Sequence, residues 1–187
     1  MRPAFDLAEQ ILARTGLPVV VSCGIATGEG LAAALAIGAD GVRCGTAFPA
    51  TGESFAHPCH KSRIVEASGE DTVLSDAFFL NSPKGAAVRV IGNSVTKGLK
   101  GDCLGHNPDS LPREIIAHDE EQPRLRFSTD SPLRTTTGYV EAMALYAGRG
   151  AGNIADIVAA GAPLDPMVAQ ALQMLKGAVR NGFKAIS

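Results

Sequence analysis

Apolar residues in the first quarter of the chain alternate between helical and extended patterns. Between residues 4 and 14 they recur at helical spacing, which predicts an amphipathic helix. Val19 to Val21 form a continuous β-branched run, typical of a strand covered on both faces in a parallel sheet. Leu31 to Ile37 predict a second helix, which the Thr27 hydroxyl would cap and Gly38 would end. The pattern therefore predicts a helix, a buried strand and a second helix.

Glycine turns follow two successive apolar strands. A second strand is predicted from Gly41 to Arg43, and the crossover of about 20 residues fits one right-handed βαβ unit. Parallel strands end at the same edge of a sheet, so we expect the turns at Gly24 and Gly45 to lie side by side. Backbone N–H groups at such turns bind anions, and Thr46 and Arg43 would add a hydroxyl donor and a positive charge. One glycine turn alone is commonly just a tight turn, but two in succession favour a phosphate site.

The middle of the chain predicts a helix and an antiparallel pair. Residues 58–67 predict a short helix, because its proline stands in the first turn. Two extended segments at 72–79 and 86–91 flank the turn-forming residues 81–85. We expect these segments to pair outside any barrel.

Residues 92–135 carry the weakest pattern. They are predicted to be mainly loop, with a faint helical pattern only at 111–118. The helical pattern returns afterwards and predicts three closing helices, at 138–146, 154–160 and 166–184.

Composition excludes several classes of protein. The 187 residues carry a net charge of −2 with mixed signs, so no basic surface for nucleic acid is expected. No apolar run approaches the roughly 20 residues that a membrane span requires. The start of the chain lacks the apolar core of a secretory signal. The four cysteines form no CxxC pair and are predicted to be reduced thiols, and the chain is predicted to be cytoplasmic.

The histidines predict no metal site. His57, Cys59 and His60 offer two imidazoles and a thiol, but a structural zinc site needs four ligands and no suitably spaced pair completes it. We interpret His57 as a residue of the helix entry. His106 and His118 lie in the polar stretch, and nothing in the sequence pairs them with a nucleophile.

Two acidic residues are candidates for acid–base chemistry. Asp71 immediately precedes the first extended segment, and Asp76 lies within it. Because acidic residues in turns are mostly solvated, we interpret both as exposed turn carboxylates.

The glycine turns also carry a family resemblance. Residues 17–48 closely resemble the last two βα units of the nitronate monooxygenase family, which are FMN-dependent TIM-barrel enzymes related to the flavin-dependent enoyl-acyl-carrier-protein reductase. The likeness continues through further short stretches, at 50–54, 57–58, 71–75, 89–93 and 145–154.

The resemblance implies FMN as cofactor and assigns its phosphate site. Gly24 matches the phosphate-binding glycine after the seventh strand. Arg43, Cys44, Gly45 and Thr46 match the segment after the eighth strand that holds the FMN phosphate.

The sequence departs from the family pattern at a few positions. Cys23 precedes Gly24 where the family commonly has a second glycine. Arg149 and Gly150 stand where the family often has glutamine and serine.

The resemblance implies an α/β chain with an incomplete TIM-barrel-like fold, made of the last two βα units. An α+β region and a C-terminal helical region would be attached to it. Residues 1–50 would be the barrel part, residues 51–136 an α+β excursion, and residues 137–187 helices packing back on the barrel part. The first six strands, and with them the family's catalytic histidine, have no counterpart in this chain.

The implied function is the oxidation of alkyl nitronates by molecular oxygen. A flavin-dependent enoyl-thioester reductase shares the same glycine turns and remains an alternative. A third alternative, from another class, is a non-catalytic fragment or subunit that needs a partner for the first six strands. The expected partners are a small nitronate substrate and either a second copy of the chain or a complementing N-terminal half, with no nucleic acid and no membrane.

Overall fold

The computed structural model describes residues 4–184 except 23, 81 and 84, with the side chains of 108 and 179–184 also left aside. Cys23 and part of the predicted 81–85 turn therefore lie outside the described residues. The chain divides into two structural units. The first unit comprises residues 1–45 and 158–187, and the second unit comprises residues 46–157.

Helices and strands alternate in the first unit, whereas the second unit contains successive strands. The α-helices are α1 (Ala4–Leu12), α2 (Gly28–Ala36), α3 (Pro58–Glu66), α4 (Ser94–Gly98) and α5 (Leu164–Lys184). The strands are β1 (Val20–Ser22), β2 (Gly41–Arg43), β3 (Thr72–Ser75), β4 (Val88–Ile91), β5 (Ile115–Asp119), β6 (Gln122–Leu125) and β7 (Thr136–Gly138).

The predicted βαβ unit forms in the first unit. β1 and β2 pair in parallel, with Val21 opposite Val42, and α2 lies between them in the chain. The Thr27 hydroxyl accepts a hydrogen bond from Gly30 N–H and caps α2, as the sequence predicts. Gly38 follows the helix with φ +97°, a conformation that glycine adopts without strain.

One expectation about β1 is wrong. The sequence predicts a strand buried on both faces, but Val20 is 59% exposed while Val21 is only 4% exposed. Among the described residues β1 and β2 form a two-stranded sheet, and Val20 on one face of it is open to solvent. The three residues of β1 therefore alternate between exposed, buried and exposed positions.

The long helix α5 packs on α2 within the first unit. Met167 and Ala171 are 6% and 2% exposed, on the face that meets α2. A Cβ on Gly28 would lie 2.5 Å from Gln170 Cβ, so glycine permits this close approach. The predicted helix at 166–184 is confirmed.

The second unit contains the predicted helix and antiparallel pair. α3 begins at Pro58, and β3 pairs with β4 with Thr72 opposite Ile91. Large side chains fill the core beneath them, including Phe78 and Phe79, which are 0% and 1% exposed. The predictions for residues 58–67, 72–79 and 86–91 are confirmed in kind.

A three-stranded sheet occupies the stretch predicted to be loop. Its order is β6-β5-β7, all antiparallel, so the faint helix predicted at 111–118 is wrong. The β5–β6 turn uses Glu120 at φ 54° instead of the glycine or asparagine that marks most hairpins. Pro123 stands in β6, which is an edge strand and can hold a proline. These two features conceal the hairpin in the sequence.

Two closing helices predicted from the sequence do not form. Residues 138–146 contain the last residue of β7 and a short 3₁₀ turn, Val140–Ala142, and residues 154–160 form no helix. Ile91 N–H donates to Leu145 O at 2.8 Å, so this segment pairs with β4 instead of bonding within a helix. Tertiary pairing thus overrides the local pattern.

The structural units group residues 137–157 with 46–136, and residues 158–187 with the start of the chain. The three-part domain division drawn from the sequence stays a prediction. Among the helices formed by described residues, none has both the length and the apolar character needed to cross a bilayer.

Candidate functional site

The register of the parallel strands places the two glycine turns at the same end of the sheet. Ser22 lies opposite Arg43. Gly24 lies two residues after Ser22, and Gly45 lies two residues after Arg43. The two turns therefore begin at the same end of the paired strands. The expected juxtaposition of the turns is therefore present in the first unit.

Both turns offer unbonded backbone donors. Within the described residues, the N–H groups of Gly24 and Gly45 donate to no protein acceptor. Gly24 has φ +82°, and a Cβ built on either glycine meets no atom within 4 Å. Exposed N–H groups with open space above them fit a bound phosphate oxygen.

The first turn of α2, in contrast, already has acceptors for its donors. Gly28 N–H donates to Gln170 Oε1 at 2.9 Å, and Gly30 N–H donates to Thr27 Oγ1 at 3.4 Å. The Thr27 hydroxyl, the residue's own backbone N–H and Gln170 together hold the pKa of Glu29 below its usual value, so a carboxylate also stands there. An anion would be held by the loop before α2 and not by the helix terminus.

Arg43 and Cys44 contribute differently. Arg43 is exposed, and its guanidinium has no hydrogen bond or ion pair among the described residues. The Cys44 side chain points to the interior, with its Sγ 4.0 Å from Met167 Sδ, and burial raises the pKa of this thiol. Arg43 is available to an anion through its side chain, whereas Cys44 could offer only its backbone.

Thr46 begins the second unit and contacts the glycine-rich segment that the resemblance singled out. Gly148 N–H donates to Thr46 Oγ1 at 2.9 Å, and a Cβ on Gly148 would lie 3.4 Å from that oxygen. The hydroxyl proton of Thr46 and its backbone N–H have no acceptor within the described residues. Thr46 therefore retains two donors for an anion.

Sequence reasoning did not include Gly148 and Gln170 among the site residues. Gly148 lies in the 145–154 motif, so the motif could have indicated it. Nothing in the sequence indicates Gln170, since it reaches α2 from 142 residues away in the chain.

The histidines have structural partners. His57 Nδ1 accepts from Cys59 N–H at 3.0 Å and caps α3, which confirms its predicted place at the helix entry. His60 is 2% exposed, with its Nε2 3.0 Å from Tyr146 O. His118 is exposed on β5.

Asp76 corrects one sequence interpretation. It is 6% exposed, and His106 Nδ1 lies 2.6 Å from Asp76 Oδ1, while Gly105 N–H donates to Oδ2 at 2.7 Å. Burial acts to raise the pKa of this carboxyl, but the hydrogen bonds from His106 and Gly105 lower it by more. Asp76 therefore anchors the 103–106 loop to the end of β3. Asp71 is exposed, as expected.

Comparisons with known proteins bear on the family of the chain. The family model for nitronate monooxygenase matches residues 2–169. A probable nitronate monooxygenase of Staphylococcus haemolyticus is 34% identical over 95 residues, which are 51% of this chain and 25% of that protein. One of Bacillus subtilis is 45% identical over 62 residues, which are 33% of this chain and 18% of that protein.

Solved structures share the fold. FabK from Thermotoga maritima has a TM-score of 0.69 at 24% identity, over 97% of this chain and 52% of that one. Nitroalkane oxidase from Streptomyces ansochromogenes has a TM-score of 0.66 at 26% identity, over 93% of this chain and 45% of that one.

The chain thus spans about half of the similar solved chains, and its matched stretches span a quarter or less of the two curated relatives. The family model nevertheless matches most of the chain, which confirms the resemblance found in the sequence. The chain belongs to the nitronate monooxygenase family.

Proposed function

We propose that this chain is part of an FMN-dependent oxidoreductase of the nitronate monooxygenase type, which oxidises alkyl nitronates with molecular oxygen. The observation that carries the proposal is the pair of N–H groups at Gly24 and Gly45, which follow adjacent parallel strands of the first unit and meet no protein acceptor among the described residues. A phosphate needs several converging donors, and these loops keep theirs free of protein acceptors. Family membership supports the choice of FMN among phosphate-bearing ligands.

The chain's own residues would bind and orient the phosphate. Backbone N–H groups of Gly24 and Gly45 would donate to its oxygens, Arg43 would neutralise charge, and the Thr46 hydroxyl would add a donor. FMN, when bound, supplies the electron-accepting chemistry. His57, His60 and His106 already serve structural contacts, so no catalytic role is assigned to these three.

The same proposal includes an incomplete barrel. β1 and β2 would be the last two strands of a TIM barrel whose remaining strands another α/β segment supplies. Two observations support this part: parallel sheets are normally covered on both faces, yet Val20 is 59% exposed, and similar solved chains extend to about twice the matched length. The partner would be a complementing N-terminal half.

Flavin content tests the cofactor. We expect the purified chain, alone or co-expressed with the first half of a relative, to show a flavin absorbance spectrum near one FMN per chain. A protein that stays colourless in both forms and gains no FMN on reconstitution would contradict the proposal.

Gly45→Val tests the position of the site. The valine side chain has room in the protein, but it would occupy the space above the N–H groups, so we expect FMN binding to be lost with the fold retained. Gly16→Val is the matched control, because Gly16 is also exposed, has no positive φ and meets no atom within 4 Å of a built Cβ. Equal FMN affinity in both variants would show that the site lies elsewhere.

Substrate class needs a separate comparison. We expect oxygen uptake with an alkyl nitronate to exceed NADPH oxidation by an enoyl thioester in the flavin-loaded protein. The reverse result would favour the enoyl-thioester reductase. Flavin binding without either activity would favour a subunit whose catalytic partner is absent.

A further inference from the structure

Two adjacent buried polar residues of α3 hold two different segments of the second unit. The first segment, residues 46–54, begins with Thr46. The second segment, residues 145–153, contains Gly148. His60 and Lys61 are 2% and 8% exposed, and each contacts backbone carbonyl oxygen in one of the segments.

Lys61 fixes the 46–54 segment. Its Nζ donates to Thr51 O at 2.6 Å, to Ser54 O at 2.8 Å and to Gly52 O at 3.4 Å. Three carbonyl acceptors use all three N–H groups of an ammonium, so this buried cation is fully engaged by one loop. Removing the ammonium would take this donor from the carbonyl of the buried Thr51, whereas Gly52 O and Ser54 O would keep hydrogen bonds from Arg134 Nη2.

His60 fixes the 145–153 segment. A carbonyl oxygen only accepts, so the 3.0 Å contact with Tyr146 O requires the proton on Nε2. Burial lowers the pKa of His60, which favours the neutral ring with Nδ1 as acceptor. Ser131 Oγ lies 3.3 Å from that Nδ1 and can donate to it.

The two segments pack directly on each other beneath this pair. Ala50 of the first segment and Ala147 of the second share one core cluster with Ile64 of α3. Their contact at the surface is the hydrogen bond from Gly148 N–H to Thr46 Oγ1. His60 and Lys61 each hold one of the two segments that this hydrogen bond joins.

We infer that His60 and Lys61 are positioning residues that hold the Thr46 hydroxyl against Gly148, so that its remaining proton is presented to the FMN phosphate. The inference rests on the proposed function for its ligand. Its structural part, the hydrogen bonds from His60 and Lys61 of α3 to the two segments, can be tested without FMN.

Four variants test the inference. Lys61→Met and His60→Met remove the polar contacts and keep much of the side-chain volume. His60→Gln keeps a donor for Tyr146 O and serves as the conservative rescue. Arg63→Met is the matched control, because Arg63 also reaches from α3 to a backbone carbonyl, Gly92 O at 2.7 Å, but outside both segments.

Amide hydrogen exchange at Gly148 measures how firmly the two segments are held together, and fluorescence titration measures the affinity for FMN. We expect Lys61→Met and His60→Met to speed exchange of the Gly148 amide by about tenfold or more and to weaken FMN binding by about tenfold. His60→Gln should stay near wild type in both readouts. Arg63→Met should change neither Gly148 exchange nor FMN affinity, even if its melting temperature falls as much as that of Lys61→Met or His60→Met.

Each other outcome has a definite meaning. Unchanged Gly148 exchange in Lys61→Met and His60→Met would overturn the inference while leaving the proposed function intact. Faster exchange with unchanged FMN affinity would also overturn it, since Thr46 would then not serve the phosphate. A wild-type chain that takes up no FMN would overturn the proposed function and the part of the inference that concerns the ligand. The exchange data alone would then show whether His60 and Lys61 hold the two segments together.

Discussion

The two units differ in how they bury apolar surface. The largest fully buried side chains, such as Phe78, Phe79 and Met143, all lie in the second unit. The buried apolar residues of the first unit are mostly alanines, while Leu17, Val20 and other large residues are exposed there. Each unit has a buried apolar cluster, but the first unit, though shorter, carries ten of the sixteen exposed large apolar residues among the described residues, a surface that a further segment could cover. A glycine turn can thus form from local sequence without large buried side chains around it.

The two units can be followed separately in solution. The chain has no tryptophan and two tyrosines, Tyr139 and Tyr146, both in the second unit. Tyrosine fluorescence therefore reports the second unit. Helical circular dichroism is weighted towards the first unit, because α5 spans 21 residues there and α1 and α2 add nine each.

The largest effect is expected from Phe78→Ala. Phe78 is 0% exposed in the second core, so the cavity should cost about 3–5 kcal/mol of unfolding free energy. Urea denaturation followed by tyrosine fluorescence measures it. Val21→Ala in the first unit, followed by helical circular dichroism, is the comparison and should cost less, because two methyl groups are removed instead of a phenyl ring. Equal losses would mean that the two cores do not differ as described.

Gly28→Ala should separate α5 from α2 in the first unit. The added Cβ would lie 2.7 Å from Met167 O as well as close to Gln170, so we expect a loss of about 1–3 kcal/mol in the dichroism transition. Gly177→Ala in α5 is the control, because its Cβ meets no atom within 4 Å, and it should gain about 0.5–1 kcal/mol from helix propensity. The prediction is wrong if both alanines stabilise.

Asp76→Asn should cost about 1–2 kcal/mol at neutral pH, because the charged hydrogen bonds to His106 and Gly105 weaken. The folded pKa of Asp76 lies below the ordinary value of an aspartate, so its contribution is present above that ordinary value and lost as pH falls through the folded pKa. Wild type and variant should therefore converge in acid. Tyrosine-detected unfolding between about pH 2 and 7 measures this, and a constant difference across that range would contradict it.

The smallest effect on stability is expected from Leu172→Gln. Leu172 is 49% exposed on α5, so the change should stay within about 0.5 kcal/mol. Self-association measured by sedimentation should decrease, because an exposed apolar residue is removed. Gln173→Ala, at the exposed neighbouring position of the same helix, is the matched control and should leave association unchanged. Equal self-association of wild type and Leu172→Gln would show that Leu172 does not contribute to association of the chain.

Much of the first unit could be predicted from sequence, and much less of the second. Thr27 and Gly38 mark the ends of α2 through local chemistry, and β-branched residues mark β1. The β5–β6 hairpin carries no such signal, since Glu120 adopts the positive φ and Pro123 interrupts the strand pattern. The glycine turns are recognisable in the sequence because they depend on local backbone geometry.

Local sequence alone encodes the βαβ unit, its two glycine turns and the family, because hydrophobic periodicity, caps and glycines act within a few residues of one another. Long-range packing, by contrast, buries Asp76 against His106, 30 residues away, and brings His60 to Tyr146, 86 residues away. Those contacts depend on how segments far apart in the chain pack, and residue type does not encode which distant backbone carbonyl a buried side chain will meet.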